Sequence, residues 1–323
     1  MVFFNGETPM AGILTAEKFH NEEAARAHLE AVRWPHGANC PHCGSVNVLR
    51  MEGQAHRVGA WNCRDCRKQF SVTVGSVFER SHVPLHKWVL ATHLLTSSKK
   101  GMSSHQLSRM LGVTYKTAWF MSHRIREAMT NLNPAPIGGE GKIVEADEAY
   151  LGKVETPVPS SSREGRPYLK RDIAKQKRPI FALVERGGEA RVYHMPIVTA
   201  ANIREALVRN AHRTSRLHTD ESRLYPKAGS EFSMHETVQH SAGEYARGDV
   251  TTNTVEGFFG VLKRGMKGVY QHCGEQHFQR YLNEFSFRYN NRSGLGVNDT
   301  ERALIALRGI GGKRLTYRRI NAA

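Results

Sequence analysis

The sequence predicts a multidomain α/β protein in which two smaller modules precede a mixed-sheet core. Two Cys-x-x-Cys pairs mark a loop-rich segment at about 35–75, and three helical patterns follow over 80–132. From residue 142 onward, strand patterns alternate with helical ones, which is typical of a mixed α/β core. The Pro- and Gly-rich stretch NPAPIGGEG at 133–141 separates the helical module from this core and predicts a domain boundary.

The composition is that of a basic protein with several domains. Its 323 residues exceed what one small module needs, and 46 Lys and Arg against 30 Asp and Glu give a net charge of +16. Such an excess favours a polyanionic partner, because Lys and Arg that bind phosphates release condensed counterions. The sequence has no apolar run of 18 residues and no basic N-terminal region before an apolar stretch. We therefore expect a cytoplasmic protein without membrane contact.

The four paired cysteines are expected to bind one structural zinc ion. Cys40 and Cys43 form the first pair, Cys63 and Cys66 form the second, and 19 residues separate the pairs. Each Cys-x-x-Cys turn offers two thiolates to one ion, and two such turns complete a tetrahedral site without an open position. Disulfides are the poorer interpretation, because the sequence carries no export signal.

Residues 83–129 have the pattern of a helix-turn-helix DNA-binding module. Helices are predicted over 83–97, 104–111 and 115–129, with Gly112 at the turn before the last of them. The third helix carries side chains suited to DNA contact: Lys116, Thr117, Arg124, Arg126. A packing or dimerisation module that contacts no DNA has the same pattern, so this alternative stays open.

Three acidic residues of the core are candidate ligands of divalent metal ions. Asp147 lies inside an apolar strand pattern, where a carboxylate is costly unless it is paired or bound to metal. Asp220 ends another candidate strand, and Glu256 lies near the start of a helical pattern that places Asn253 and Lys263 on the same face. Three carboxylates from two strands and a helix suit two Mg²⁺ ions about 4 Å apart. Each acid taken alone is more often a solvated or capping residue.

From Cys40 to about Arg292 the sequence resembles bacterial insertion-sequence transposases of the ISXO-like group, which combine an N-terminal zinc ribbon with a DDE nuclease domain. Besides the cysteines, the resemblance depends on these motifs: EADEAYLGK (145–153), HTDESRLY (218–225), TNTVEGFFGVLKRGMKGVY (252–270), YLNEFSFRYNNR (281–292). Thirty-five residues separate Asp220 from Glu256, and Lys263 follows seven residues later. This spacing is similar to the D-D-35-E pattern of retroviral integrases and related transposases.

The resemblance implies a ribonuclease-H-like catalytic core whose metal-binding triad is Asp147, Asp220 and Glu256. Two Mg²⁺ or Mn²⁺ ions are the implied cofactors, beside one structural Zn²⁺. Some relatives have an Asn at the third position, and Asn253 lies one helical turn before Glu256. We prefer Glu256 for its charge and its spacing.

The resemblance also implies double-stranded DNA as the partner, both as terminal inverted repeats and as target. Lys263 and Arg264 would contact it, and a homodimer or larger assembly would handle two ends together. The basic segment 163–178 is expected either to contact DNA or to be solvated. In related transposases a Glu/Arg helix face supports the site, and the comparable face here is that of Tyr281, Glu284, Arg288, Arg292. A surface ladder of salt bridges is the alternative for this face.

Five regions are therefore expected along the chain. They are an N-terminal helical segment at 1–34, a zinc ribbon at 35–75, a helix-turn-helix domain at 80–132, a ribonuclease-H-like DDE domain at 140–270 and a C-terminal helical region at 271–323.

The expected function is that of a transposase that binds terminal inverted repeats, cleaves phosphodiesters at the element's ends and transfers the 3′-hydroxyls to target DNA. The first alternative is a non-catalytic zinc and helix-turn-helix regulator derived from a transposase. Loss of one triad acid would mark that class, and all three acids are present. A serine or tyrosine recombinase would need a covalent nucleophile beside an arginine cluster. Tyr281 and Tyr289 lie near arginines in the sequence, but no second signature supports this class.

Overall fold

The computed structural model describes residues 12–154 and 177–316. Most of the basic segment 163–178, for which DNA contact was one expectation, lies outside the described residues. Among the helices of the described ranges, none has the length and apolar character needed to cross a membrane.

The described residues follow the order of the predicted helices and strands, and they add elements that were not predicted: three short strands in the loop-rich segment, and a short helix and a fifth strand in the core. The helices are Glu22–Arg33 (α1), Leu85–Ser97 (α2), Ser104–Leu111 (α3), Tyr115–Ala128 (α4), Ala200–Asn210 (α5), Pro226–Gly229 (α6), Asn253–Gly265 (α7), Glu275–Asn290 (α8) and Asp299–Arg308 (α9). The strands are Val48–Arg50 (β1), Trp61–Cys63 (β2), Gln69–Phe70 (β3), Ile143–Leu151 (β4), Arg178–Glu185 (β5), Ala190–His194 (β6), Arg216–Asp220 (β7) and Met234–Val238 (β8).

These elements divide between two units. The first unit has three segments of the chain: the part up to Ser98, Met102–Met129, and the part from Asn298 onward. The second unit has two segments: Lys99–Gly101 and Thr130–Val297. Helix α8 therefore belongs to the second unit and α9 to the first. The region 271–323, expected as one C-terminal helical region, is divided between them.

In the first unit, a small antiparallel sheet with the order β1-β2-β3 accompanies helices α1 to α4 and α9. Asn21 caps α1, because its side chain accepts the backbone N–H groups of Glu23 and Ala24. Gly112 ends α3 in a left-handed conformation with φ of +59°, which favours glycine. Thr114 then caps α4, so α3 and α4 form the predicted pair of helices joined by a tight turn.

The second unit is built on a five-stranded sheet with the order β6-β5-β4-β7-β8. Strand β4 pairs antiparallel with β5 and parallel with β7, β5 pairs antiparallel with β6, and β7 pairs parallel with β8. Only β5 therefore runs against the other four strands. This order and direction are those of a ribonuclease-H-like core, which confirms the predicted fold class.

Helices cover both faces of this sheet and bury its apolar side chains. On one face, side chains such as Ala149 and Ile180 pack with α7 and α8. On the other face, Val144 and Phe181 pack with α5 and with Tyr225. Because successive residues of a strand point to opposite faces, the odd-numbered residues of β4 face α7. That group includes Asp147.

The segment 133–141, predicted as a linker, also contributes to the core of the second unit. Ile137 is buried, and its backbone exchanges hydrogen bonds with the end of α5, from Ile137 N to Asn210 O and from His212 N to Ile137 O. The Pro- and Gly-rich composition therefore marks a change of unit, but the segment itself packs.

Candidate active site and zinc site

The four paired cysteines lie together in the first unit, with all four Sγ atoms within 4.8 Å of one another. The Sγ atoms of Cys40 and Cys66 are 3.6 Å apart, as are those of Cys43 and Cys63. Zn–S bonds of about 2.3 Å in a tetrahedron separate two sulfurs by about 3.8 Å, so this spacing fits one zinc ion. Gly44 has a φ of +79°, the conformation that the turn after Cys43 requires. The cysteines thus form a closed, structural zinc site.

Asp147 and Asp220 lie side by side on neighbouring parallel strands. Strands β4 and β7 pair with Glu145 opposite His218. Asp147 and Asp220 each come two residues after this pair, so they occupy matching positions on the same face of the sheet. One carboxylate oxygen of Asp220 accepts the N–H of Ser222 at 3.0 Å, which fixes its orientation at the end of β7.

Glu256 lies in the first turn of α7, the helix that packs on this face, and its side chain is 45% exposed. Its Oε1 accepts a hydrogen bond of 3.1 Å from the hydroxyl of Thr252. The same oxygen is 3.4 Å from Nε2 of His240. The carboxylate is therefore oriented by two side chains while it remains accessible to solvent.

The three acids lie within electrostatic reach of one another. Burial raises the pKa of Asp147 to about 7, and the negative charges of Asp220 and Glu256 act in the same direction. Adjacent carboxylates that share a site repel each other when they are ionised, so such a site favours a proton or a cation. The donor set consists of oxygens only, which suits hard divalent cations such as Mg²⁺.

The spacing of these acids differs from that of the cysteines. Among the described residues, only the cysteine cluster brings three or more metal-ligand side chains within 4.8 Å of one another. The three carboxylates therefore do not surround a single point. A pair of ions about 4 Å apart does not require this, because different carboxylates can contact different ions.

Two further groups at this edge of the sheet were not anticipated. Burial raises the pKa of Glu148 to about 7, and the charges of Asp147 and Asp220 add to the effect. His240, beside Glu256, is held in place through its turn, because the carboxylate of Glu221 accepts the N–H groups of His240 and Ser241. Glu148 is adjacent to Asp147 in the sequence, which could have signalled it. Nothing in the local pattern around His240 does so.

The structure separates the predicted DNA-contacting residues of α4 into two groups. Lys116 is exposed at the start of the helix, and Thr117 is half-buried beside it. Arg124 and Arg126 are instead buried, with 8% and 1% of their surface exposed. Arg124 donates to the backbone oxygen of Glu79, and Arg126 donates to the hydroxyl of Ser122. These two arginines thus stabilise the first unit, which corrects the expectation that they contact DNA.

Helix α7 places its predicted functional residues on the exposed side. Asn253 and Arg264 are exposed, and Lys263 is half-buried, with its Nζ 5.8 Å from the ring centroid of Phe259. Gly257 is exposed as well, and a Cβ at this position would meet no atom within 4 Å. Internal packing therefore does not explain this glycine, which weakens the helix.

The acidic and basic face of α8 is not the surface ladder of salt bridges that was one alternative. Glu284 is fully buried and Arg288 is 6% exposed, and the two form a buried ion pair one turn apart. The hydroxyl of Tyr270, in the π-helical turn after α7, donates to the same carboxylate at 2.5 Å. This pair therefore fixes the chain just after α7.

Two segments of the chain match families of known domains. The ISXO2-like transposase domain matches residues 138–290, and the transposase zinc-ribbon domain matches residues 20–69. An uncharacterized protein in transposable element ISH50 of Halobacterium salinarum is 31% identical over 282 residues. That alignment covers 85% of this chain and 93% of the relative.

Two solved structures show more distant similarity. One is a chain in the structure of the simian T-cell lymphotropic virus intasome in complex with PP2A regulatory subunit B56 gamma, which is 14% identical to this chain. The match covers 56% of this chain and 63% of the intasome chain, with a TM-score of 0.29. The chain thus spans just under two thirds of that protein's length. A pre-cleavage Mos1 transpososome is 10% identical over 68% of this chain and 74% of that chain, with a TM-score of 0.27.

Proposed function

Since this chain belongs to the ISXO2-like transposase family, we propose that it cuts DNA at the ends of an insertion sequence and joins the freed 3′-hydroxyls to target DNA. The observation that carries this proposal is the approach of three acids at one edge of the sheet. Asp147 and Asp220 lie at matching positions on parallel strands, and Glu256 comes close enough to raise the pKa of Asp147.

Asp147, Asp220 and Glu256 are the residues that would hold two Mg²⁺ or Mn²⁺ ions. When bound, the ions supply a polarised nucleophile and positive charge for the leaving oxygen. The raised pKa of Asp147 supports this assignment, because a cation would take the place of the proton that burial and the neighbouring negative charges otherwise retain.

The surrounding side chains orient the third acid. Thr252 donates a hydrogen bond to Oε1 of Glu256, and Nε2 of His240 lies 3.4 Å from the same oxygen. Asn253 is exposed one turn earlier and remains the alternative third residue. We favour Glu256 because its charge acts on Asp147.

The exposed side of α7 is the proposed path of the DNA strand beside the acids. Lys263 and Arg264 follow Glu256 by about two turns and supply positive charge for phosphates. Gly257 has no side chain, so the helix surface next to Glu256 is open at this position. A DNA backbone can approach the helix more closely there than it could at an alanine.

The first unit is proposed to recognise the terminal inverted repeats. Lys116 and Thr117 at the start of α4 are the candidate contacts, in the position where a recognition helix meets bases and phosphates. The zinc site stabilises the segment that precedes these helices. Because two ends must be cut and joined together, we propose that a homodimer or larger assembly acts on DNA.

The proposal is tested by cleavage of linear DNA that carries the element's ends, with Mg²⁺ and with purified protein. Asp147→Ala should abolish cleavage and leave binding to the end sequence nearly unchanged. Glu205→Ala, which removes an exposed carboxylate from α5, serves as the control and should cleave normally. Cleavage retained in Asp147→Ala would reject the proposed function.

A further inference from the structure

A second acid of β4, Glu145, has no role in the proposed chemistry, yet its carboxylate accepts five hydrogen bonds from the start of α7 and from Arg186. Its side chain is fully buried, and it lies two residues before Asp147 on the same face of the strand. An ionised carboxylate is buried only where hydrogen bonds and an opposite charge compensate the loss of water. Glu145 has both.

The first set of these contacts joins Glu145 to the start of α7. Its Oε2 accepts the backbone N–H of Thr254 at 2.7 Å and that of Val255 at 3.0 Å. Its Oε1 accepts the hydroxyl of Thr254 at 2.8 Å. The first N–H groups of a helix have no partner within the helix and are usually bonded by a capping side chain. Thr252, at the N-cap position of α7, makes no such bond. Glu145, which lies on strand β4 of the sheet, caps the helix instead.

The second set of contacts joins Glu145 to Arg186, which follows β5. Nη2 and Nε of Arg186 lie 2.7 Å and 3.0 Å from Oε1 of Glu145. Nη1 of the same guanidinium donates to the backbone oxygen of Asp249 at 2.9 Å. The ion pair therefore also holds the loop that leads into α7, and it compensates the charge that caps the helix.

These contacts connect the two parts of the proposed metal site by a short path. Asp147 lies two residues after Glu145 on β4, and Glu256 directly follows Val255, whose N–H Glu145 accepts. Apolar side chains, including Val255 of the first turn, pack α7 onto the sheet, and the hydrogen bonds to Glu145 add directional contacts that fix this turn along the helix axis. The distance between Glu256 and the strand acids thus depends on Glu145.

We propose that Glu145 is a positioning residue, whose buried carboxylate holds the first turn of α7 so that Glu256 stands at the spacing that two metal ions require. The inference rests on the proposed function for its consequence and on the hydrogen bonds alone for its structural part. It predicts that loss of this carboxylate changes metal binding and cleavage while the fold and the DNA affinity persist.

The test compares Glu145→Gln with Glu231→Gln. The control removes a carboxylate from the same unit that also binds two arginines, Arg204 and Arg213, and that lies outside α7. Glu145→Asp is the second variant, because it keeps the charge but shortens the side chain by one methylene. It remains available if Glu145→Gln does not fold.

Hydrogen exchange measures the structural part. The amides of Thr254 and Val255 should exchange at least about tenfold faster in Glu145→Gln and Glu145→Asp than in the wild type, and no faster in Glu231→Gln. Unchanged exchange at these two amides would overturn the proposal, whatever happens to cleavage.

Mn²⁺ binding, followed by the electron paramagnetic resonance of the free ion, measures the consequence without any activity. The Glu145 variants should bind Mn²⁺ about tenfold to 100-fold more weakly than the wild type, as removal of a group that orients metal ligands does. End cleavage at saturating DNA should fall by about 100-fold and recover partly at high Mn²⁺ concentration. Faster exchange with unchanged Mn²⁺ affinity would overturn the positioning role. Wild-type protein that binds no Mn²⁺ at an Asp147-dependent site would instead overturn the proposed function, and this inference with it.

Discussion

Burial raises the pKa of Asp147, and the charge of Asp220 raises it further, because the two carboxylates occupy matching positions on neighbouring parallel strands. Both acids belong to the sheet, so their repulsion is fixed by the fold and is present before any ligand arrives. The site is therefore expected to cost folding free energy when it is empty and ionised.

Replacement of Asp147 by asparagine should stabilise the protein at neutral pH in buffer without Mg²⁺. In the unfolded chain this carboxyl loses its proton near 3.8, whereas in the folded protein its pKa is about 7. The wild type therefore loses stability as the pH rises from about 4 to 7. Above this range Asp147→Asn should be more stable by up to about 4 kcal/mol, since one pKa unit corresponds to about 1.4 kcal/mol.

Urea unfolding of both proteins at pH 5 and pH 8 measures this difference. The gain from Asp147→Asn should be larger at pH 8 than at pH 5. An equal gain at both values, or none, would show that the pKa of Asp147 is not raised in the folded protein.

Gly257→Ala should stabilise the protein and impair its action on DNA. The added Cβ meets no protein atom within 4 Å, so the free energy of unfolding should rise by about 0.5–1 kcal/mol. If DNA passes along this face of α7, the methyl group displaces it and lowers the cleavage rate by about tenfold or more. If Gly257→Ala were more stable but cleaved DNA normally, the DNA would not pass along this face of α7.

Zinc removal should unfold the cysteine module and weaken recognition of the terminal repeats. A structural zinc site contributes its binding free energy to folding. Trp34 and Trp61 pack against each other with ring centroids 5.9 Å apart, so tryptophan fluorescence reports on this region. Cys63→Ser should reproduce the effect of a chelator, and Cys273→Ser should not. Unchanged DNA binding after verified zinc loss would show that the cysteine module does not contribute to recognition of the terminal repeats.

The basic residues of α4 should separate by function when they are replaced one at a time. Lys116→Ala removes an exposed charge, so it should leave the unfolding temperature unchanged and lower the salt dependence of DNA binding by about one unit of log–log slope. Arg126→Met removes a buried side chain and should destabilise the protein by about 1–3 kcal/mol. If Arg126→Met weakened DNA binding but unfolded at the wild-type temperature, the structural role of the buried Arg126 would be contradicted.

The sequence was informative where a local pattern fixes the structure. Paired cysteines predicted the zinc site, and the glycine at position 112 predicted the turn between α3 and α4, since both depend on a few adjacent residues. Strand β4 was predicted from the apolar residues on either side of Asp147, and the structure buries side chains of this strand on both faces of the sheet.

The features that were missed depend on tertiary contacts. Strand β8 has the polar sequence MHETV and lies at the edge of the sheet, where only Val238 is buried, so it carries no strand signal. Arg124 and Arg126 have the sequence character of DNA contacts, but the packing of the first unit buries them. The capping of α7 by Glu145 joins residues more than 100 positions apart, which no local pattern reveals.

The most direct test of the account is a change of metal preference at Asp147. In Asp147→Cys a thiolate replaces the carboxylate, and a thiolate is a poorer ligand for Mg²⁺ than for Mn²⁺, which is softer. If Asp147 binds a metal ion, Asp147→Cys should fail to cleave element-end DNA in Mg²⁺ and regain cleavage in Mn²⁺, whereas Asp147→Ala should be inactive in both. Equal cleavage by Asp147→Cys in the two metals, or cleavage by Asp147→Ala in either, would contradict the assignment of this carboxylate as a metal ligand.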